Sequence, residues 1–407
     1  MAVSTVTNIA YALKTKYSPK KVQILAYKKS PFFALVPKAE GFTGNNFAFS
    51  VQHGLPVGRS QDFTTAQANK AVAAGKQFVI TRVHDYALVS LTTEAILASR
   101  DNEGAFADML KNSFERAVDA VAKSISIGLY GDGTGSIGVV GTLSTATVTL
   151  TNASDIVNYE TGQVLIAAEN AASAPRDSGT GYTILSVDRD LGKFTLSATP
   201  QNSAFTAGDL IFSKGDYISA SDRNMIAGLR AWIPTVAPAS TAFFGVDRTS
   251  DVGRLAGHRV DGAGLRIDEA LNKLIARVNR EGGDASHVFL PWEKWEELTN
   301  ILESKRMVPI NVGNDKLGKV GFTALEFISK GGPIMVVPDA FCPAATAYVL
   351  TLDSWEFRTL GPAPQVIDLD GGKLDREYNA DGFEMRVGFW GNLLCYRPNE
   401  NGVAFNI

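Results

Sequence analysis

The sequence predicts an α+β protein whose mixed body is interrupted by a small all-β domain. Three observations carry that prediction. Apolar residues recur at three-to-four spacing from Glu103 to Leu129, the signature of one long amphipathic helix. Residues 142–214 then hold short strand-like segments divided by turns, with little helical periodicity. Beyond residue 215, strand and helix patterns alternate again.

The N-terminal stretch is basic. Residues 1–39 contain Lys14, Lys16, Lys20, Lys21, Lys28, Lys29 and Lys38, with no Arg, Asp or Glu. The whole chain carries −3, so a +7 arm sits on a body of −10. Such an arm is either a solvated extension or a segment that lies on a polyanion or an acidic neighbouring subunit.

A hairpin with an unusual middle follows. Asn46 to Gln52 alternates Phe47, Phe49 and Val51 on one face, a period-two strand signal. Gln77 to Leu91 supplies a second strand through Phe78, Ile80, Val83, Tyr86 and Val89. Between them, the 24 residues from His53 to Lys76 are dominated by Gly, Ala, Gln, Ser and Thr. A connection that long and core-poor is unexpected inside a compact domain. It is either disordered or projects and becomes ordered against another chain. About seven paired residues at roughly 3.3 Å each carry such a tip about 23 Å from its base. Leu55, Arg59, Asp62, Phe63, Lys70 and Lys76 are its candidate contact residues.

The long helix carries Phe106, Met109, Leu110, Phe114, Val118, Val121, Ile125 and Leu129 on its stripe, with Asp101 or Asn102 as N-cap. Gly131 and Gly133 stop it. In the all-β segment, strands are expected at 145–151, 163–167, 181–188, 193–198 and 209–213, with a tight turn at Asp190–Gly192. A small barrel or sandwich is the economical arrangement. Ile267, Leu271, Leu274, Ile275 and Val278 mark a later helix closed by Gly282 and Gly283. His287–Leu290 reads as a strand, and Pro291 opens a helix with Trp292, Trp295, Leu298, Ile301 and Leu302 inward. Strands follow at 325–329, 334–337, 347–352 and 355–360, then at 383–390 and 393–397.

Composition narrows the function. The chain has 407 residues, 45% hydrophobic and 20% charged, enough for a packed core and for two or three domains. There is no apolar run of membrane-spanning length and no basic-then-apolar leader, so synthesis in a reducing cytosol is expected. Two cysteines, Cys342 and Cys395, build neither a disulfide scaffold nor a four-cysteine zinc site. Gly133-Thr-Gly135-Ser-Ile-Gly138 matches a dinucleotide fingerprint literally, but it follows a helix and leads into β structure, so turn chemistry accounts for it. The histidines at 53, 84, 258 and 287 stand alone in sequence. Asp368, Asp370, Asp375 and Asp381 break the EF-hand pattern, whose twelfth position here is Asn379. Glu293, Glu296 and Glu297 complement a helix N-terminus. Neither catalysis, a cofactor nor a metal is expected.

The order of elements is specific, and it resembles the major capsid proteins of tailed bacteriophages, the HK97 fold. Tyr130-Gly-Asp-Gly-Thr-Gly135 is similar to the glycine turn after the long helix of these proteins. Ser286-His-Val-Phe-Leu-Pro-Trp-Glu-Lys-Trp295 is similar to their strand-then-helix unit. Gly332-Pro-Ile-Met-Val-Val-Pro-Asp339, followed by Ala347-Tyr-Val-Leu-Thr-Leu-Asp353, resembles their paired late strands. The resemblance implies an N-arm at 1–44, an E-loop at 45–91 and a peripheral domain with the spine helix at 92–141. It further implies an inserted β domain at 142–214, a return to the peripheral domain at 215–249, an axial domain at 250–345 and late strands at 346–407. The implied function is a shell of pentamers and hexamers around double-stranded DNA, in a virion assembled in the host bacterial cytoplasm. The implied partners are other copies of the chain, a separate scaffolding protein and a portal, packaged double-stranded DNA in non-specific contact, room for a decoration protein, and no membrane; the arm lysines face either that DNA or an acidic neighbour. An encapsulin-like compartment around a cargo enzyme is the rival within the same fold. Outside it stand a hydrolase with a β accessory module, and glycan binding by the insertion through Tyr159, Tyr182 and Phe194.

Overall fold

The computed structural model describes residues 30–42, 44–93, 103–217, 225–304, 325–329, 332–367, 375–376 and 381–407. The chain enters through a five-residue helix, α1 (Pro31–Leu35), capped by Ser30, whose Oγ accepts from Phe33 N. Phe32 and Phe33 are completely buried, so this end of the basic stretch is core and not extension. Strand β1 (Lys38–Glu40) then pairs in parallel with β16 (Trp355–Thr359). Lys14, Lys16, Lys20, Lys21, Lys28 and Lys29 lie outside the described residues, as do Asp101, Asn102, Asp368 and Asp370.

The expected hairpin forms from β2 (Asn46–Gln52) and β3 (Gly75–Thr81), seven residues each, with Phe49 opposite Phe78. The expected second strand, Gln77–Leu91, is in fact two. It breaks at Arg82, and β4 (Val83–Thr92) leaves the hairpin to pair with β19 (Gly382–Cys395) in another sheet. The reason is a change of parity. Phe78 and Ile80 bury even positions, whereas Val83, Ala87 and Val89 turn odd positions inward, so one flat ribbon cannot satisfy both. The tip is not featureless either, since a short helix, α2 (Phe63–Ala68), lies within it.

Helix α3 (Glu103–Tyr130) is one 28-residue element, and its stripe of Phe114, Val118, Val121, Ile125 and Leu129 is at most 2% exposed. It packs on the face of β4 and β19 that carries Val89, Met385, Val387 and Phe389. The glycine turn that follows holds Gly133 and Gly135 at φ of +81° and +84°, a region that glycine adopts without strain.

The insertion is a closed six-stranded barrel of β5 (Ser136–Ser144), β6 (Thr147–Leu150), β7 (Val164–Ala168), β8 (Tyr182–Asp188), β9 (Lys193–Leu196) and β10 (Leu210–Ser213). β5 begins six residues before the expected boundary at Thr142 and had not been expected as a strand, because Gly138 and Gly141 weaken its pattern. Both glycines are close approaches: a Cβ at Gly138 would stand 2.4 Å from the Tyr159 hydroxyl. β5 and β10 pair directly, so the chain enters and leaves the barrel side by side.

Past the barrel come α4 (Leu229–Trp232), α5 (Val252–Ala256) and β11 (His258–Asp261). Helix α6 (Ile267–Arg280), β12 (His287–Leu290), α7 (Trp292–Ser304), β13 (Leu325–Ser329), β14 (Gly332–Pro338) and β15 (Thr346–Leu350) complete the strand–helix alternation. After β16 follow β17 (Gln365–Val366), β18 (Asp375–Arg376), β19 and β20 (Gly402–Phe405). One sheet runs β11-β20-β15-β12-β14-β13, so the two late strands flank β12 and do not pair with each other. The two expected strands at 383–390 and 393–397 are the single 14-residue β19, which Gly391 and Asn392 continue without a break. Trp292 is 50% exposed and not inward, because α7 starts on it, whereas Leu298 is fully buried.

Candidate assembly surface

The hairpin is built in two halves. Its root is an aromatic cluster: Phe49 stacks on Phe78 at 5.6 Å and meets Tyr396 edge-on at 4.9 Å. Fully buried Trp232 lies 5.3 Å from Phe78 and 5.1 Å from Phe243, and its Nε1 donates to Leu393 O at 3.1 Å. Val79 N donates to Phe244 O, Arg358 lies 4.0 Å over the Phe47 ring, and Arg254 Nη1 donates to His53 O at 2.6 Å. The root therefore fixes the direction in which the hairpin leaves the body.

Beyond His53 the chain is held by itself. Gly54 N donates to Ala74 O at 3.0 Å and Ala74 N returns a bond to Gly54 O at 3.2 Å. Asp62 caps α2: its Oδ2 accepts from Thr65 N and Thr65 Oγ1, both at 2.8 Å. Those bonds, the Thr65 side chain first, hold its carboxyl below the usual range. Gly58 passes so close to the returning strand that a Cβ there would stand 1.8 Å from Asn69 O. The tip is thus a shaped object with an apolar skin: Leu55 is 78% exposed, Val57 76%, Phe63 78% and Val72 92%. Arg59, Asp62 and Lys70 are exposed beside them, whereas Lys76 is half-buried opposite Val51.

A second apolar surface was not anticipated. The face of β4 and β19 turned away from α3 carries His84, Tyr86, Leu88 and Trp390, with Trp390 Nε1 donating to Tyr86 OH at 2.9 Å. Its signal is the alternation of β4, which lies within the stretch expected as the hairpin's second strand. The barrel presents no aromatic platform: Tyr159, Tyr182 and Phe194 are all 5% exposed or less and line its core. It is tied to the long helix by Lys123 Nζ to Glu160 Oε1 at 2.7 Å, with Arg189 Nη2 on the other oxygen at 2.9 Å. The four histidines sit on separate elements, and among the described residues no three metal-ligating side chains converge. Both cysteines are buried and free.

Comparison with known proteins follows this geometry. The family model of the SU10 major capsid protein matches residues 208–373, from the last barrel strand onward. The fold is the HK97-like capsid fold. Among solved structures, the cyanophage A-1(L) capsid asymmetric unit matches this chain with a TM-score of 0.55 at 14% identity, over 93% of each chain. The SrpI encapsulin from Synechococcus elongatus PCC 7942 gives 0.46 at 9% identity, over 100% of this chain and 96% of that one. Mycobacterium phage Adephagia gives 0.43 at 10%, over 93% and 90%. No curated protein matches the sequence.

Proposed function

We propose that this chain is a tailed-phage major capsid protein that assembles as pentamers and hexamers into an icosahedral shell around double-stranded DNA, with the hairpin tip gripping an adjacent copy. The observation that carries this reading is the tip: ordered backbone from Gly54 to Ala74 whose apolar side chains have no cover in the subunit. A contact of this kind is heterologous, one surface on a different surface of the next copy, and closes into rings only at fixed angles. An aromatic root that fixes the hairpin's direction supports such an angle. The face of exposed Tyr86 and Leu88 and half-buried Trp390 is the receiving surface of suitable chemistry. Assembly proceeds in the host bacterial cytoplasm with a separate scaffolding protein and a portal. The arm lysines, Lys14 to Lys29, contact DNA or an acidic neighbour, and the barrel faces outward, where a decoration protein binds.

Deletion of residues 55–74 tests the reading. The subunit remains folded, because the root cluster is untouched, and electron microscopy of the product shows no closed shells. Normal shells from the deletion refute the gripping role. Double-stranded DNA in particles recovered from infected cells, as against an enzyme cargo, decides between the phage shell and an encapsulin-like compartment.

A further inference from the structure

The N-terminal arm enters the body at a buried carboxylate. Asp339 stands in the turn after β14 and is wholly enclosed. Its Oδ2 accepts from Ser30 Oγ at 3.3 Å, Phe32 N at 3.3 Å and Tyr130 OH at 3.0 Å. Its Oδ1 accepts from Phe341 N at 3.0 Å, and its own N donates to Leu290 O at 2.9 Å. Three parts of the molecule therefore meet at one residue: the arm helix α1 and the last residue of α3 on its side chain, and the sheet through its backbone, which follows β14 and bonds β12. Phe32 closes the joint, its ring 5.6 Å from Tyr130 and 5.1 Å from Phe289.

None of the four donors carries a positive charge. The titratable groups facing the carboxyl are Tyr130 from α3 and Cys342 from its own turn; Tyr348 of β15 adjoins both of these, and Glu293 of α7 adjoins Cys342. Among the described residues no cation faces the carboxyl, so its ionised form bears a desolvation cost that neutral hydrogen bonds offset only in part. Burial accordingly pushes the Asp339 carboxyl up to about 6 in spite of its four bonds.

We propose that the root of the N-terminal arm docks through a proton-linked clasp at Asp339, so that mild acid tightens the arm's attachment and neutral medium loosens it. Protonation does not break the clasp. Ser30 and Tyr130 are hydroxyls that can turn to accept the acid's proton, while the Phe32 and Phe341 N–H groups go on donating to the remaining carboxyl lone pairs. Undocking α1 lets water reach the carboxyl, which then returns towards its ordinary value near 4 and releases a proton. The docked form has the raised value, so docking strengthens as pH falls through it, and that gain is lost as pH rises. Lys38, on β1 just after α1, works in the opposite direction, because burial lowers its ammonium to about 7. Its effect falls mainly above neutrality, so the two groups separate by pH window.

Hydrogen exchange of the full-length unassembled subunit tests this, with the intrinsic pH dependence of exchange divided out and an α6 peptide as internal reference. Protection of amides 32–36 rises about eightfold from about pH 6.5 to about pH 5. Asp339→Asn, which presents the uncharged group at every pH, abolishes the rise. Tyr130→Phe removes one donor to the carboxylate and moves the midpoint to higher pH. A flat wild-type profile, an undiminished rise in the Asn variant, or an unmoved midpoint in Tyr130→Phe each overturns the proposal. If the Asn variant fails to fold, the α6 reference loses protection, and the Tyr130→Phe midpoint then decides.

Discussion

Replacing Leu55 and Phe63 together by serine separates folding from assembly. In the isolated subunit both side chains are 78% exposed, so their removal takes almost nothing from the subunit's core. Helix α2 also persists, because its cap is the Asp62–Thr65 pair and not Phe63. Fully burying a Leu or Phe side chain is worth about 1.5–3 kcal/mol, so covering three-quarters of each contributes about 3–4 kcal/mol for the pair. That corresponds to a factor of several hundred, about 300-fold, in the equilibrium for one tip-to-neighbour contact. Every subunit in a shell repeats the contact, so the concentration needed for assembly rises at least that steeply. The assay is sedimentation velocity across a concentration series, with thermal melting of the unassembled subunit alongside. Unchanged melting with assembly displaced by two orders of magnitude or more is the expected result. Assembly at the wild-type concentration refutes the claim that the tip's apolar skin is covered by a neighbour.

Three further outcomes follow from the same structure. Trp232→Ala empties the hairpin root and costs about 3–5 kcal/mol of subunit stability in denaturant unfolding, a loss that Trp232→Phe reduces. Gly58→Ala drives a Cβ into Asn69 O and spreads the tip, so shells form poorly while subunit melting stays at the wild-type temperature; normal shell yield contradicts the close-approach account. Residues 136–213, expressed alone, fold cooperatively by circular dichroism, because the barrel closes on itself around its own core of Val148, Tyr159, Leu165, Phe194 and Ile211; a non-cooperative melt shows that the barrel depends on the body.

Much of this architecture was legible, and the exceptions have particular causes. The long helix was plain because a stripe that buries Phe114, Val118, Val121, Ile125 and Leu129 leaves a 3.6-residue period in the chain. The strand break at Arg82 was legible too, in the parity change between Ile80 and Val83, but a run of β-favouring residues masks a phase shift unless parity is tracked. β5 was hidden by Gly138 and Gly141, whose lack of a side chain is explained only by the Tyr159 hydroxyl and the Leu150 carbonyl across the barrel. The aromatic residues suggested for glycan binding could not be assigned to core or surface by pattern alone, because a closed barrel gives a strand an inside that local alternation does not orient.

The candidate assembly surface divides in the same way. An apolar-poor, 24-residue connection between two strands already required either disorder or an outside partner, since it could bury nothing by itself. Its internal helix, its crossing at Gly58 and its aromatic root emerge only from contacts between distant residues. Ser30 and Asp339 are 309 positions apart, and nothing at either position announces a clasp.

By itself, then, the sequence determined most of the elements, their order and the segment left without a core, because secondary structure and burial demand are written in short periods of polarity. The tertiary structure alone decided which strands share a sheet, where the barrel closes and what the buried carboxylate of Asp339 holds. Those outcomes depend on pairing between remote residues, whose free energy is set by geometry that no local period encodes.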